Sequence, residues 1–250
     1  QFLYNDYIKL LNNIEYHIMG NHVLENGFSL FFASKYFENN IFYKKAKSIL
    51  FKELKEQILK DGAHFELSPM YHNLILLKIL DCINLIKTNK IDDLEILNLL
   101  SSKASKMLSW LDSIIYKNGS IPMVNDSSPD LIIPANELFK YVDFLNIKWS
   151  KNSLGESGYR KWYNNDFEIF IDIGNLGPDY ILGHSHADTF SFELNFKNQP
   201  ILVDTGTSTY EDCKQRKLER STSSHNTISV DSINSSQVWA SFRVANRAKV

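Results

Sequence analysis

Apolar side chains recur at helical spacing through the first 146 residues of the chain. The opening segment shows this spacing at Leu3, Tyr7, Leu10, Leu11 and Ile14. Further amphipathic stretches follow around residues 30–37, 42–59, 70–88, 92–117 and 130–145, separated by charged or asparagine-rich turns. Residues at i, i+3, i+4 and i+7 share one face of a helix, and short loops favour antiparallel neighbours. The pattern predicts six helices arranged as helical hairpins, without the fixed repeat of a standard solenoid.

The hydrophobic period changes to two from about residue 155. Residues 167–173 and 190–196 alternate apolar and polar side chains, and residues 227–231 do so more briefly. The run 197–200 separates two such segments and is typical of a hairpin turn. The second half is therefore predicted to be an antiparallel β-sandwich. We place the helical domain at 1–148 and the β domain at 158–250, joined by a linker rich in Ser, Asn and Gly.

Composition narrows the class of protein only slightly. The chain has 250 residues, 44% hydrophobic and 22% charged, with a net charge of -2 that offers no basic field for nucleic acid. Aromatic content of 13% suits sugar stacking or an aromatic core. Cys82 and Cys213 stand far apart, so we expect two buried free thiols. No apolar run reaches the ~20 residues of a membrane span. The chain begins at Gln1, and we expect it to be part of a longer protein.

Two polar clusters in the helical half are candidates for a catalytic site. Ser68 followed by proline is a strong helix start, which places Tyr71 near the positive end of the helix dipole. That position is expected to lower the tyrosine pKa and so suit it to acid–base work. The alternative is a core aromatic. Asn21 is a residue type that often caps the N-terminus of a helix. His22 and Glu25 share a helix face at i, i+3. Glu25 could orient the His22 imidazole for catalysis, or the two could form a solvated pair.

A third cluster lies in the β half, in the sequence His184-Ser-His186. Two histidines one residue apart, followed downstream by Asp204 and His225, are a ligand set that suits a divalent metal such as zinc. The hairpin places His186 about 23 Å from Asp204 along a straight strand. The two residues can share a metal only if the segment 183–188 leaves the sheet and folds back.

These clusters together resemble the heparinase II/III family of polysaccharide lyases. The matching segments, in family order across nearly the whole chain, are residues 20–27, 61–72, 121–126, 183–194, 201–206 and 220–227. The resemblance implies an incomplete (α/α) toroid followed by an antiparallel β-sandwich, with the active site in the cleft between them. It also implies cleavage of a uronate-containing polysaccharide by β-elimination, in a bacterial protein that is periplasmic or secreted.

The resemblance implies a role for each matching residue. Asn21 and His22 would neutralise the uronate carboxylate, Tyr71 would be the general acid and perform the base step as well, and His184 would be an alternative base. Substrate contacts fall to the remaining matching polar residues, Glu25, His72, Asn125 and Arg220, with Glu25 also orienting His22. A structural zinc would be bound by His186, Asp204 and His225.

Two other classes stay open on the sequence. The His-x-His-x-Asp pattern also suits a metal-dependent glycan hydrolase, although a further histidine after Asp188 is missing. A non-catalytic glycan-binding protein could keep the same fold. The expected partner in every case is an anionic polysaccharide or oligosaccharide.

Overall fold

The computed structural model describes residues 1–128, 131 and 133–250. Six helices come first, and they are α1 (Phe2–Asn12), α2 (Gly20–Tyr36), α3 (Asn40–Gln57), α4 (Pro69–Thr88), α5 (Leu94–Ile114) and α6 (Ala135–Phe144). The prediction of six helices is confirmed. The last one was predicted over 130–145, of which residues 130 and 132 lie outside the described part of the chain.

Side-chain caps explain where three of these helices begin. Asn39 accepts hydrogen bonds from the backbone N–H groups of Ile41 and Phe42 at the start of α3. Ser68 accepts one from Tyr71 at the start of α4, with proline in the first turn, as predicted. Asp93 caps α5 in the same way. Each cap satisfies backbone donors that have no partner inside the helix.

The second helix begins differently from the expectation. Asn21 is not its N-cap, because the helix already starts at Gly20. Gly20 has a φ of +57°, and a Cβ there would lie 2.2 Å from Oε1 of Glu66. The backbone N–H of Asn21 instead donates to that same carboxylate oxygen, at 2.9 Å. A carboxylate from elsewhere in the chain therefore satisfies the start of this helix.

The second half contains an antiparallel sheet in the order β1-β2-β3-β4. The strands are β1 (Tyr159–Tyr163), β2 (Phe167–Asp172), β3 (Phe192–Phe196) and β4 (Gln199–Leu202). The predicted hairpin is confirmed, with Phe196 paired to Gln199 across a two-residue turn whose φ values are both positive. Beyond the sheet lie the short helix α7 (Lys214–Glu219), a 3-10 turn, and a small pair of strands, β5 (Val238–Trp239) and β6 (Arg243–Val244).

The prediction of a strand at 227–231 is wrong. That stretch has only an isolated bridge between Val230 and Ile233. Residues 231 and 232 both have positive φ, which bends the chain away from an extended course. The alternating pattern covers only five residues, which is too short to maintain a strand next to this turn.

The sheet presents its polar side chains inward. Glu168 and Glu193 are buried, whereas Phe167 and Phe196 point to the outer, exposed face. The Tyr116 hydroxyl, from the segment after α5, donates to Glu193 at 2.7 Å. Tyr159 and Phe170 belong to the same apolar core as the helices. The sheet is therefore attached to the helical half through shared core and buried polar contacts.

The helices pair in sequence order, α2 with α3 and α4 with α5. Their interior is closely filled around Trp110, Phe28 and Phe31. Among the described residues, no helix is long and apolar enough to cross a membrane. Both cysteines are free, but only Cys82 is buried; Cys213 is half-buried, contrary to expectation. The fold is thus helical followed by an antiparallel sheet, as the coarse prediction stated.

Candidate active site

A buried carboxylate joins the polar residues at the junction of the two halves. Asp126, in the segment between α5 and α6, contacts His184 Nδ1 through Oδ2 and His186 Nε2 through Oδ1, each at 2.9 Å. Arg216 binds both oxygens of this carboxylate through its two terminal nitrogens. Asp126 and Arg216 are both completely buried. Against the effect of burial, the hydrogen bonds from His184, His186 and Arg216 hold the pKa of Asp126 well below its usual range, so the carboxylate is ionised.

His184 lies between two carboxylates. Its Nδ1 faces Asp126, and its Nε2 lies 3.1 Å from Glu66 Oε2 in an ion pair. Burial alone would lower the histidine pKa, but the two carboxylates outweigh it and raise the pKa to about 9. His184 is therefore an imidazolium at neutral pH, with Nδ1 hydrogen-bonded to Asp126 and Nε2 facing Glu66.

Tyr71 stacks against this imidazolium from the helical side. The two ring centroids are 4.0 Å apart, with 29° between the planes. The hydroxyl of Tyr71 lies 3.1 Å from that of Tyr210. The expectation of a lowered tyrosine pKa is wrong, because burial raises it and outweighs the contribution of Tyr210. The helix dipole therefore does not by itself produce a phenolate here.

A cavity of about 760 Å³ opens beside these rings. It is lined by side chains from both halves, including Asn21, His22, Tyr180, His184, Phe242 and Arg243. The structure thus brings together four predicted site residues, since Tyr71 stacks directly on a cavity-lining histidine. The volume is in the range of ligand-binding clefts.

His22 has a different carboxylate neighbour from the one expected. Its Nδ1 lies 3.7 Å from Glu15 Oε2. Glu25 is half-buried, and burial raises its pKa, with smaller opposing effects from Lys78 and His22. Glu15, in the loop before α2, is therefore the carboxylate that forms an ion pair with His22, while its Oε2 also accepts a hydrogen bond from Asn26.

Three residues predicted to contact substrate point elsewhere. His72 is completely buried and contacts Met107 O and its own neighbour His64, so burial lowers its pKa to about 3. Asn125 is buried, and its amide bonds to Leu67 O and to the backbone of the 183–188 segment. Arg220 is buried among backbone carbonyls, with two bonds to Ser185 O. These three side chains contact other parts of the protein and do not line the cavity.

The predicted metal residues lie close together. His225 Nδ1 bonds to Asp204 Oδ2 at 2.8 Å, and the rings of His186 and His225 are 5.3 Å apart. The segment 183–188 does leave the sheet, which removes the difficulty posed by a straight strand. The second ring nitrogens, His186 Nδ1 and His225 Nε2, are buried without partners in the described structure, as is Asp188 Oδ2.

These unpartnered atoms fit a metal in their chemistry. His186 has Nε2 held by the Asp126 carboxylate and Nδ1 free, which is how metal-binding histidines are usually oriented. In His225 the carboxylate that contacts Nδ1 is that of Asp204, which is itself a predicted ligand. Within the described residues, however, no group of three or more His, Cys, Asp or Glu side chains has converged into a metal site. The three predicted ligands are therefore neighbours, but their side chains do not have the geometry of a metal site in the described residues.

Four residues around Tyr71 and His184 were not predicted from the sequence. Glu66 and Asp126 stood inside matching segments but were not singled out, although a buried histidine needs such partners. Tyr210 and Arg216 lie outside the matching segments altogether. Nothing in the local sequence distinguishes them from ordinary surface residues.

A helical unit joined to an antiparallel sheet, with a partly buried Tyr–His–Asp–Arg cluster at their junction, defines a two-part α+β protein. The family model described as heparinase II/III N-terminus matches residues 2–146. The model described as heparinase II/III-like, C-terminal, matches residues 146–250. The chain belongs to the heparinase II/III family.

Two curated proteins are similar to this chain in sequence. A heparin-sulfate lyase of Bacteroides stercoris is 24% identical over 258 residues, covering 89% of this chain and 37% of that protein. A heparin-sulfate lyase of Pedobacter heparinus is 25% identical over 214 residues, covering 75% of this chain and 32% of that protein. The chain spans about a third of the length of these relatives.

Solved structures show the likeness of fold. The crystal structure of heparinase III superposes with a TM-score of 0.75 at 20% identity, covering 92% of this chain and 42% of that one. The crystal structure of heparan sulfate lyase HepC from Pedobacter heparinus gives a TM-score of 0.67 at 21% identity, covering 92% and 40%. At these identities the likeness concerns the fold alone.

Proposed function

We propose that this protein is a polysaccharide lyase that cleaves a uronate-containing glycan by β-elimination. The observation that carries the proposal is the stack of Tyr71 on His184, 4.0 Å between centroids, beside a cavity that also displays Asn21 and His22. The two curated relatives are named heparin-sulfate lyases, which favours a sulfated uronate glycan as substrate.

β-Elimination makes three demands on a site. The carboxylate at C5 must be neutralised so that the C5 proton becomes acidic, a base must take that proton, and an acid must protonate the leaving oxygen. Asn21 and His22 are polar groups on the cavity wall and are assigned to the carboxylate. Tyr71 is assigned to the acid step and also to the base step.

His184 is assigned as the base for a C5 proton on the other face of the sugar. Its resting arrangement restricts that role, because both ring nitrogens face carboxylates and its pKa is raised to about 9. The ring must therefore first lose its Nε2 proton, for which the Glu66 carboxylate at 3.1 Å is a placed acceptor, before it can take one from C5. Until then His184 supplies positive charge next to Tyr71.

We also propose that His186, Asp204 and His225 hold a divalent metal, with zinc as the best match to two imidazoles and a carboxylate. Bound there, the metal would neutralise buried carboxylate charge and cross-link three segments of the sheet half. The elimination itself needs no metal-activated water, so the three side chains act in support of the β half.

We also propose that the fold is an incomplete (α/α) toroid followed by a β-sandwich. The outer face of the sheet carries exposed Phe167, Phe196 and Leu202, an apolar surface of the kind that packs against a second sheet. The paired helices likewise suit an incomplete (α/α) toroid. We further propose a periplasmic or secreted location, on the family resemblance.

The test is an assay of the purified protein on a panel of uronate polysaccharides, following the ultraviolet absorbance of the unsaturated uronate product. We expect heparan sulfate to give that absorbance. Cleavage without the double bond would indicate hydrolysis instead, and binding without cleavage would indicate a glycan-binding protein.

A conservative variant tests the assignment of the acid. Tyr71→Phe keeps the ring stacked on His184 and removes only the hydroxyl. We expect a fall in kcat of about 10²-fold or more, with glycan binding retained in a direct titration. Full activity in this variant would exclude Tyr71 as the acid.

A further inference from the structure

We propose that Tyr210 is a positioning residue for Tyr71, which rests on the function proposed above. Tyr210 lies in the loop after β4, in the sheet half, whereas Tyr71 lies in the first turn of α4. Their hydroxyl oxygens are 3.1 Å apart, and in the described part of the chain each hydroxyl has this one partner. The sheet half thus supplies a polar atom directly to the reacting group of the helical half.

The position of Tyr210 is fixed by its surroundings. Its ring lies parallel to that of Phe242, with centroids 5.8 Å apart and 16° between planes. The buried guanidinium of Arg216 lies 5.2 Å from the ring centroid. The chain enters this loop through Gly206 at a φ of +56°, where a Cβ would meet Ser127 O at 2.2 Å. The hydroxyl is therefore held by a packed ring on a constrained loop.

Either hydroxyl can donate in this hydrogen bond while both are protonated, and Tyr210 is the donor once Tyr71 has lost its proton. Burial and the negative charge of Asp126 raise the pKa of Tyr210 well above its ordinary value, so it keeps its proton. The same hydrogen bond lowers the pKa of Tyr71, against the larger effect of burial. The other charged or ring groups around the Tyr71 hydroxyl are Asp126, Glu66, Arg216 and the stacked His184.

This arrangement matters for the elimination because Tyr71 must accept a proton before it gives one. Tyr71 acts as the base after its own hydroxyl proton has been lost to solvent. Its oxygen then takes the C5 proton, the C–H electrons form the C4–C5 double bond, and the C4–O bond breaks. The leaving oxygen then takes the proton from Tyr71, which returns to its starting state. The Tyr210 proton is never transferred; it stabilises the negative oxygen at the beginning and end of the cycle.

The test replaces Tyr210 by phenylalanine, which preserves the stack with Phe242. We expect kcat on heparan sulfate to fall about tenfold, the value of one good hydrogen bond, while KM stays within about twofold. The matched control is Tyr141→Phe, since that hydroxyl bonds to Asp81 on the far side of the helical half. The control is expected to leave both constants unchanged.

A second readout does not depend on activity. With ¹³C-labelled tyrosine, the ring signal of Tyr71 is assigned by its absence in Tyr71→Phe. We expect that signal to move, and to titrate at higher pH, in Tyr210→Phe but not in Tyr141→Phe.

An unmoved Tyr71 signal, or a loss confined to KM, would overturn the inference. A moved signal in a protein that eliminates no uronate glycan would support the contact and overturn the proposed function instead.

Discussion

Removing the Arg216 side chain should be among the most damaging single changes in the sheet half. Arg216→Ala leaves Asp126 buried without the guanidinium that binds both of its oxygens. It also releases the carbonyl of Ser241, which accepts from Arg216 at 2.9 and 3.0 Å, and the hydroxyl of Thr207 at 2.9 Å. Several buried polar groups therefore lose partners at once.

The magnitude follows from what Asp126 retains. Breaking a buried ion pair by deleting one partner costs about 3–5 kcal/mol. Asp126 keeps its contacts with His184 and His186, so we expect the lower end, about 3 kcal/mol. For a chain of this size each kcal/mol shifts the melting temperature by about 2–4 °C, which gives a fall of about 6–12 °C.

The assay is thermal unfolding followed by circular dichroism, with Arg247→Ala as the matched control. Arg247 also forms an ion pair, at 2.7 Å, but with Asp179, whose side chain is 97% exposed. Exposed pairs contribute less than about 1 kcal/mol, so the control should melt within about 4 °C of the parent. Arg216→Lys should lie in between, since it restores the charge without the planar fork.

Equal melting temperatures for Arg216→Ala and Arg247→Ala would refute this reasoning. They would mean that the two histidines alone satisfy Asp126, and that the buried guanidinium contributes no net stability.

Three further changes test other parts of the structure. Ser68→Ala removes the cap of α4 and should lower the free energy of unfolding by about 0.5–2 kcal/mol in urea titrations, with Ser68→Gly costing less. Asp93→Asn keeps the cap of α5 but removes a carboxylate whose pKa, despite some burial, is lowered to about 2 by Lys47 and Tyr43. A depressed pKa adds stability above the unfolded value near 3.9, so the advantage of the parent over this variant should disappear as pH falls from about 4 to about 2; a constant difference would contradict the ion pair. His186→Ala should lower bound zinc, measured by elemental analysis, together with the melting temperature, and unchanged zinc would exclude the proposed ligand set.

Much of the fold could be predicted because its signals are local. The helical period, the Ser68 cap and the turn at 197–198 each depend on a few consecutive residues. The inward face of the sheet could not be predicted in this way. Alternation identifies a strand but not which face is covered, and here the polar face, with Glu168 and Glu193, is the buried one.

The same distinction between local and non-local signals applies to the candidate site. Tyr71 and His184 could be proposed from the sequence because they stand in recognisable segments, and their rings stack in the structure. Their partners Tyr210 and Arg216 come from a loop and a short helix whose placement depends on the whole sheet half. The predicted substrate contact of Arg220 failed for a related reason, since charge in a sequence does not show whether the side chain faces solvent or backbone carbonyls.

The contacts between the two halves explain how so many separate segments meet at one place. Apolar surfaces tolerate sliding, whereas hydrogen bonds between buried charged groups are directional. Here the Glu193 carboxylate binds Tyr116, Asp61 binds the backbone N–H and hydroxyl of Ser157 at 2.9 and 2.7 Å, and Asp126 binds histidines of the sheet half. Each of these bonds fixes the sheet against the helices in one register. The stacking of Tyr71 on His184 depends on that register, because the two rings belong to different halves.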